Sequence, residues 1–365
     1  MGIKEAAIYL DNQWNTYYAG QTVNGRIEYV FDSPKKVRGI HVKFKGEAHT
    51  EWSESKQEED SEGKTQSTDT IHQGNEEYFQ ISYYLLGSST GNEIEIPAGK
   101  QVYNFTCALP PVLPSSFEGQ YGYVRYTVKV TLDRPWKFDQ ETKMAFTVIN
   151  ALDLNLNPSY RVVTYRATSP TTAIKKSKDI IKTMQEGPVT AGSTKRWNLN
   201  LEIPPIPPSN LVNCSIIDLD YDLKVECAVS GMHINLKDRK YITIGTVPLV
   251  GMIGQTQPTP SAPVQPDSPS QPAVLPVAPG QPAQPGNIQG GDSMPGGWMV
   301  PGAPQPQAPH QSLYPTLTEP VYKESPYTAR TIHDRGDSSH MITSPTRFAP
   351  YYPTYAAVQP PPLPQ

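Results

Sequence analysis

The chain has 365 residues with a net charge of -4, and 39 of the residues are proline. Residues 1–250 hold 14 prolines and residues 251–365 hold the other 25, so the last third is too polar and too poor in helix formers to build a core, and the fold is confined to about 250 residues. The slightly acidic balance speaks against nucleic-acid binding, and no apolar run approaches the roughly 18 residues that span a membrane.

Residues 5–150 read as antiparallel β structure. Alternating apolar runs predict strands at 7–10, 23–31, 37–44, 79–86, 102–108, 123–132 and 143–149. Turn residues separate them, as at Asp32-Ser33-Pro34 and Pro97-Ala98-Gly99. Strands of this number and spacing predict an immunoglobulin-like β-sandwich. The polar, acid-rich stretch 51–75 reads as a long exposed hairpin loop. Trp14, Tyr17, Tyr18, Trp136 and Phe138 read as packing residues.

After a boundary near Asn150, residues 151–250 begin with a predicted strand at 161–167, a polar loop carrying Lys175, Lys176 and Lys178, and a predicted strand near 180–184. The stretch that follows repeats part of the first domain. Residues 98–130 and 191–225 both run Ala-Gly, an alternating strand, a Pro-Pro-rich crossing, a connector, and a strand ending Tyr-x-aliphatic-Lys-Val. From Ala98 to Pro110 is 12 steps and from Ala191 to Pro204 is 13; Pro110 to Tyr126 is 16 and Pro204 to Tyr221 is 17. Proline suits such a crossing because it fixes φ and cannot join a ladder. The chain therefore reads as two related sandwiches in tandem, the second (151–250) lacking its first strands. Residues 251–365 read as a disordered Pro-rich tail.

Certain residues also carry a family resemblance. The run 17–27, from Tyr17-Tyr18-Ala19-Gly20-Gln21 through Val23 to Gly25-Arg26-Ile27, resembles an arrestin N-domain. So do Lys36-Val37-Arg38-Gly39-Ile40 with Gly46, and the stretch 109–119 followed by Val124-Arg125-Tyr126. Ile203-Pro204-Pro205, Pro207-Pro208-Ser209, Asn213-Cys214 and Tyr221 resemble the end of an arrestin C-domain. The nearest likeness is to the arrestin domain-containing proteins, or α-arrestins. It covers 5–161 fully and 162–250 in part, and the front half of the C-domain is what departs from the family pattern. A shortened splice form or gene model would explain that departure. The resemblance implies an all-β, arrestin-like fold and a non-enzymatic trafficking adaptor without cofactors. Such an adaptor binds the cytoplasmic tails of membrane proteins and recruits WW-domain HECT ubiquitin ligases through Pro-Pro-x-Tyr motifs. It is expected in the cytoplasm, peripherally at the plasma membrane and endosomes. Two other readings stand beside it: a coat-type arrestin-fold subunit of a sorting complex, or a non-functional or dominant-negative short isoform.

A Pro-rich tail favours the polyproline II conformation, which suits short-motif recognition. Pro260-Ser261-Ala262-Pro263 matches the late-domain motif bound by the UEV domain of the early ESCRT machinery. Leu313-Tyr314-Pro315-x-Leu317 resembles the motif bound by ALIX-type adaptors. No strict Pro-Pro-x-Tyr exists; the near misses place Pro320 before Tyr322 and Pro350 before Tyr352. Residues 319–355 regain Tyr, His and both charge signs.

The seven histidines form no metal-ligand spacing, and neither a phosphate-binding Gly loop nor a nucleophile elbow occurs. On the strand from Val37, His41, Lys43 and Lys45 share one face while Ile40, Val42 and Phe44 share the other. The first set reads as a solvated face; the family resemblance implies a docking face for acidic or phosphorylated cargo tails. Cys107, Cys214 and Cys227 show no CxxC spacing and read as reduced thiols. The first twelve residues, with Glu5 and no apolar core, do not read as a signal peptide.

Overall fold

The computed structural model describes residues 3–59, 65–156, 174–249, 319–326, 329–334 and 337–355. The first domain runs β1 (Ile3–Leu10), β2 (Thr16–Tyr18), β3 (Thr22–Phe31), β4 (Lys35–Val37), β5 (Gly39–Glu59), β6 (Thr65–Gly87), β7 (Ile94–Ile96), β8 (Gly99–Ala108), β9 (Phe117–Glu118), β10 (Gly122–Asp133) and β11 (Gln140–Ile149). One sheet has the order β1-β3-β8; the other contains β11-β10-β5-β6, with β2 on β11 and β9 on β10. The small β4–β7 pair stands apart.

Period-two patterning sets the core. Val23, Ile27, Tyr29 and Phe31 of β3 face Ile40, Val42 and Phe44 of β5 and Val124, Tyr126, Val128 and Val130 of β10, all in one buried cluster. Phe44 meets Phe105 edge-on across the sandwich at 5.6 Å. Each such side chain contributes about 1.5–3 kcal/mol on burial. Trp136 and Phe138 do not pack as the sequence suggests: they sit in the β10–β11 turn, 99% and 79% exposed. Trp136 adopts φ +62, so the turn geometry aims it outward.

The stretch 51–75 is also not a loop. The β5–β6 ladder continues unbroken to Glu59 opposite Thr65. Cross-strand pairs carry it beyond the sandwich: Trp52 stacks on His72 at 5.1 Å, and Ser55 hydrogen-bonds Asp69. Both faces of this extension are polar, which hid its alternation.

The tandem repeat is visible in hydrogen bonds. The Tyr126 hydroxyl donates to the Pro114 carbonyl at 2.7 Å, and the Tyr221 hydroxyl donates to the Pro207 carbonyl at 2.8 Å. Ser116 exchanges bonds with Val148: its N–H donates to the Val148 carbonyl, and its Oγ accepts from the Val148 N–H. Ser209 does the same with Ile244. Each Ser lies two residues beyond the proline that its tyrosine holds, so both copies fix the Pro-rich crossing with the same pair of side chains.

Of the second domain, the described residues form a single 3-10 turn (Ser209–Leu211) and the hairpin β12 (Tyr221–Cys227) with β13 (Leu236–Ile242). The expected strand near 180–184 is not formed, and 161–167 lies outside the described residues. Cys214, Ile216, Ile217 and Leu219 instead pack on the first domain's core. Trp197, Leu199, Leu201 and Ile203 are exposed, which fits a sandwich short of strands. All three cysteines are unpaired thiols.

The assignment of all of 251–365 to a disordered tail does not hold for 319–355. This segment forms β14 (Val321–Glu324), β15 (Arg330–Thr331), β16 (Ile342–Thr343), β17 (Arg347–Phe348) and β18 (Tyr351–Thr354). The physical reason lies in its aromatic and β-branched residues: Tyr322, Ile332, Phe348 and Tyr352 are all buried. Strand β16 extends the main sheet by pairing parallel to β11.

Candidate functional site: a cationic sheet face

Along β11, Met144, Phe146 and Val148 point into the core. The alternate residues face outward, and the segment 319–355 covers them in order. Lys143 meets Asp334 and Asp337, Ala145 packs with Ile332 and Phe348, the Thr147 Oγ1 accepts from the Tyr351 N–H, and Ile149 packs with Tyr322.

The charged end of this face is a row set by register. Lys43 of β5 is opposite Lys129 of β10, and Lys129 is opposite Lys143 of β11. Like charges directly opposite destabilise a sheet unless anions are supplied. Lys129 bonds Glu141 at 2.8 Å, with Asp337 at 3.8 Å. Lys143 ion-pairs with Asp337 at 2.9 Å and also contacts Asp334. Four residues from Lys129 along β10, on the same face, Arg125 makes a bidentate pair with Glu118 at 2.8 and 2.9 Å, both side chains almost fully buried. A third guanidinium nitrogen reaches Asp334 at 3.2 Å, and the guanidinium lies 3.9 Å over the Tyr123 ring.

His41, Lys43 and Lys45 share the face opposite Ile40, Val42 and Phe44, as the alternation requires. Lys45 is closed by Glu47 at 2.5 Å. Lys43 forms no ion pair among the described residues. Burial pushes its ammonium pKa down, and Lys129 and Lys45 push the same way. The His41 pKa is lowered by burial first and then by Lys43 and Lys129. Glu77 and Glu47 act on Lys43 in the opposite sense, so the β5 end of the row carries a cation without a direct ion pair among the described residues.

The near-miss motifs are packed inside the fold. Tyr352 is 2% exposed and donates to the Ser116 carbonyl at 2.7 Å; Tyr322 is 6% exposed and donates to the Tyr18 hydroxyl at 3.2 Å. Pro350 is buried beside Tyr352, and Pro320 is half-buried. Both tyrosines serve here as packing residues. Pro260, Ser261, Ala262 and Pro263, like Leu313, Tyr314, Pro315 and Leu317, lie outside the described residues. Arg125, Lys129, Lys143, Asp334 and Asp337 were not singled out as site residues from sequence. The alternation Arg125-x-Thr127-x-Lys129 was a usable signal, but joining it to Lys43 and Lys143 needs the strand register.

Among the described residues no cluster of His, Cys, Asp and Glu could hold a metal ion, and no helix is long and apolar enough to cross a membrane.

Residues 6–155 match the N-terminal domain of arrestin (or S-antigen), and residues 140–249 match its C-terminal domain. The chain is similar to arrestin domain-containing protein 17 of Caenorhabditis elegans, 26% identical over 283 residues that cover 60% of this chain and 66% of that protein. It is similar to human arrestin domain-containing protein 4, 24% identical over 307 residues, covering 67% of this chain and 71% of the relative. Human thioredoxin-interacting protein is 32% identical over 159 residues, covering 42% of this chain and 37% of the relative. The chain thus spans just under two thirds of the nematode relative's length. The alignment with that relative is longer than the part of this chain it covers, so the relative carries residues that this chain lacks. With both domain models matched in order and the crossing built twice, the chain belongs to the arrestin family, in its arrestin domain-containing (α-arrestin) branch.

Proposed function

We propose that the protein is a non-enzymatic trafficking adaptor whose first domain binds acidic cytoplasmic segments of membrane proteins. The observation that carries this reading is the Lys43–Lys129–Lys143 row, a sheet face already occupied at one end by an acidic peptide segment. The residues His41, Lys43 and Lys45 extend the same face away from that segment. Pro260–Pro263 and Leu313–Leu317 are proposed to recruit the UEV and ALIX-type components of ESCRT. Recruitment of WW-domain ubiquitin ligases has little support from Tyr322 and Tyr352, whose hydroxyls are engaged internally.

The test uses the full chain. Lys43→Glu is expected to weaken binding of an acidic cytoplasmic-tail peptide about tenfold, since a charge-assisted contact is replaced by repulsion. It should leave ESCRT capture intact, whereas Pro260→Ala and Tyr314→Ala should reduce capture of UEV and ALIX-type partners in pulldowns. Unchanged peptide affinity in Lys43→Glu removes the cargo reading. Unchanged capture in both tail variants removes the ESCRT reading.

A further inference from the structure

The turn between β10 and β11 carries the most exposed aromatic side chains among the described residues. Trp136 is 99% exposed and Phe138 79%, two residues apart on a convex tip rather than in a cleft. Apolar residues scattered singly over a surface are ordinary, but a fully exposed Trp beside an exposed Phe is a patch. The turn is braced from within. Asp139 accepts the Arg134 N–H at 3.1 Å, the Arg134 guanidinium donates to the Phe138 carbonyl, and the Lys137 N–H reaches the Arg134 carbonyl at 3.4 Å. Trp136 itself takes φ +62, a left-handed backbone that a bulky side chain rarely adopts. The Phe138 ring leans on the His340 ring at 5.6 Å.

The charges around the tip are sorted too. Arg38 holds Asp133 through bonds of 2.9 and 2.7 Å, and Asp139 is engaged by the Arg134 amide. Lys137 is exposed and makes no ion pair among the described residues. The side chains left facing solvent at the tip are therefore aromatic, cation, aromatic.

We propose that Trp136, Lys137 and Phe138 form a membrane anchor, the two rings entering the headgroup layer of a bilayer and the ammonium meeting anionic lipid. The indole suits that depth because its body is apolar and its N–H is polar. A lysine beside it can lay its stem along apolar surface and keep its charge among the headgroups. A convex tip fits a fluid surface better than a protein pocket, which encloses the aromatic anchors it binds. Two rings and one cation give weak, reversible attachment. The inference is independent of the cargo reading and adds a position to it. Lys129 lies four residues from Asp133, the last residue of β10, hence about 13 Å behind the start of the turn. With the tip in the headgroups, the lysine row stands within reach of a cytoplasmic segment soon after it leaves the bilayer.

The experiment sediments the full chain with vesicles of phosphatidylcholine alone, or with about one third phosphatidylserine. Wild type is expected to partition onto the phosphatidylserine vesicles with a blue shift of its indole emission. Trp136→Ser/Phe138→Ser should lower partitioning about tenfold and remove the shift. Lys137→Glu should lower it about fivefold on phosphatidylserine vesicles and leave phosphatidylcholine vesicles unaffected. All three side chains are exposed, so both variants should keep the wild-type urea midpoint. Should the double variant unfold earlier, Trp136→Ser alone is measured: a threefold or greater loss is expected, and no loss overturns the anchor. Affinity for the acidic tail peptide, measured in the same proteins without vesicles, should be equal in wild type and the double variant, so the fate of the anchor and that of the cargo face are read separately. Equal partitioning of wild type and the double variant overturns the anchor. So does a wild-type chain that stays off both vesicles, a result that would assign the tip to a protein partner.

Discussion

A methyl group at Gly46 would lie 2.7 Å from the rings of Phe79 and Tyr126. Those rings cannot easily retreat, because Tyr126 is fixed by its hydroxyl on Pro114 and is packed against Phe146 at 6.2 Å. Gly46→Ala is therefore expected to destabilise the first domain by about 1–3 kcal/mol through overpacking. Urea unfolding should show a lower midpoint with an unchanged slope; an unchanged midpoint would mean that the rings move aside at no cost. At this scale the sequence was partly readable. Tyr126 and Tyr221 stand out through the repeat, because the crossing tyrosine recurs at near-equal spacing, and Gly46 through the family resemblance. The carbonyl that each tyrosine holds, and the bidentate hold of Glu118 on Arg125, depend on a turn geometry that spacing does not encode.

Strand β11 shows how far an element can be read from its own residues. The alternation over 143–149 correctly gave a strand, and the inward set Met144, Phe146 and Val148 follows from it. The outward set should then have been polar, yet it contains Ala145 and Ile149. A strand apolar on both faces is covered on both faces, so the sequence did signal a second layer. It could not name the layer, because the covering segment returns from near the far end of the chain and has no periodicity of its own. The same element fixes the acid response. Burial pushes the Asp337 carboxyl up, but the Asp334 N–H, Lys143 and Lys129 together pull it below its usual value. The charged neighbours that face it are Lys143 of β11, Lys129 of β10 with its partner Glu141, and Asp334 of its own segment. A carboxylate depressed in the folded state adds stability that is complete above its unfolded pKa of about 4 and is lost as pH falls through the lower folded value. Protection of Thr343 and Ser344, corrected for intrinsic exchange, should stay level from about pH 7 to 5 and fall only below about 4. Loss of protection between 7 and 5 would assign control to some other group. On this arithmetic, acidification from about pH 7 to 5 does not release Asp337 from Lys143.

For the whole molecule, the tandem architecture was legible, since a repeat at near-equal spacing survives in sequence even where the described residues form few strands. What remains of the second copy does not stand alone. Ser215 bonds Glu76 through its N–H and Oγ at 2.9 and 2.8 Å, so the stretch after the crossing leans on the first domain. The reading of residues 319–355 as part of a disordered tail missed an equivalent dependence.

The covering of β11 also has a topological consequence. On one side of residues 250–318 Val247 is bridged to Asp153, and on the other the aromatic anchor holds, with Val321 paired to Thr354 and Tyr322 and Tyr352 buried. The chain is thus fixed to the fold on both sides of its Pro-rich stretch. A single protease cut within it should produce two fragments that migrate separately in denaturing gels but elute together in native size exclusion. Prompt separation under native conditions would show that the aromatic anchor is too weak to hold the fragments together. A pull applied within 250–318 is therefore borne by the Val247–Asp153 bridge on one side and by the β14–β18 pair on the other.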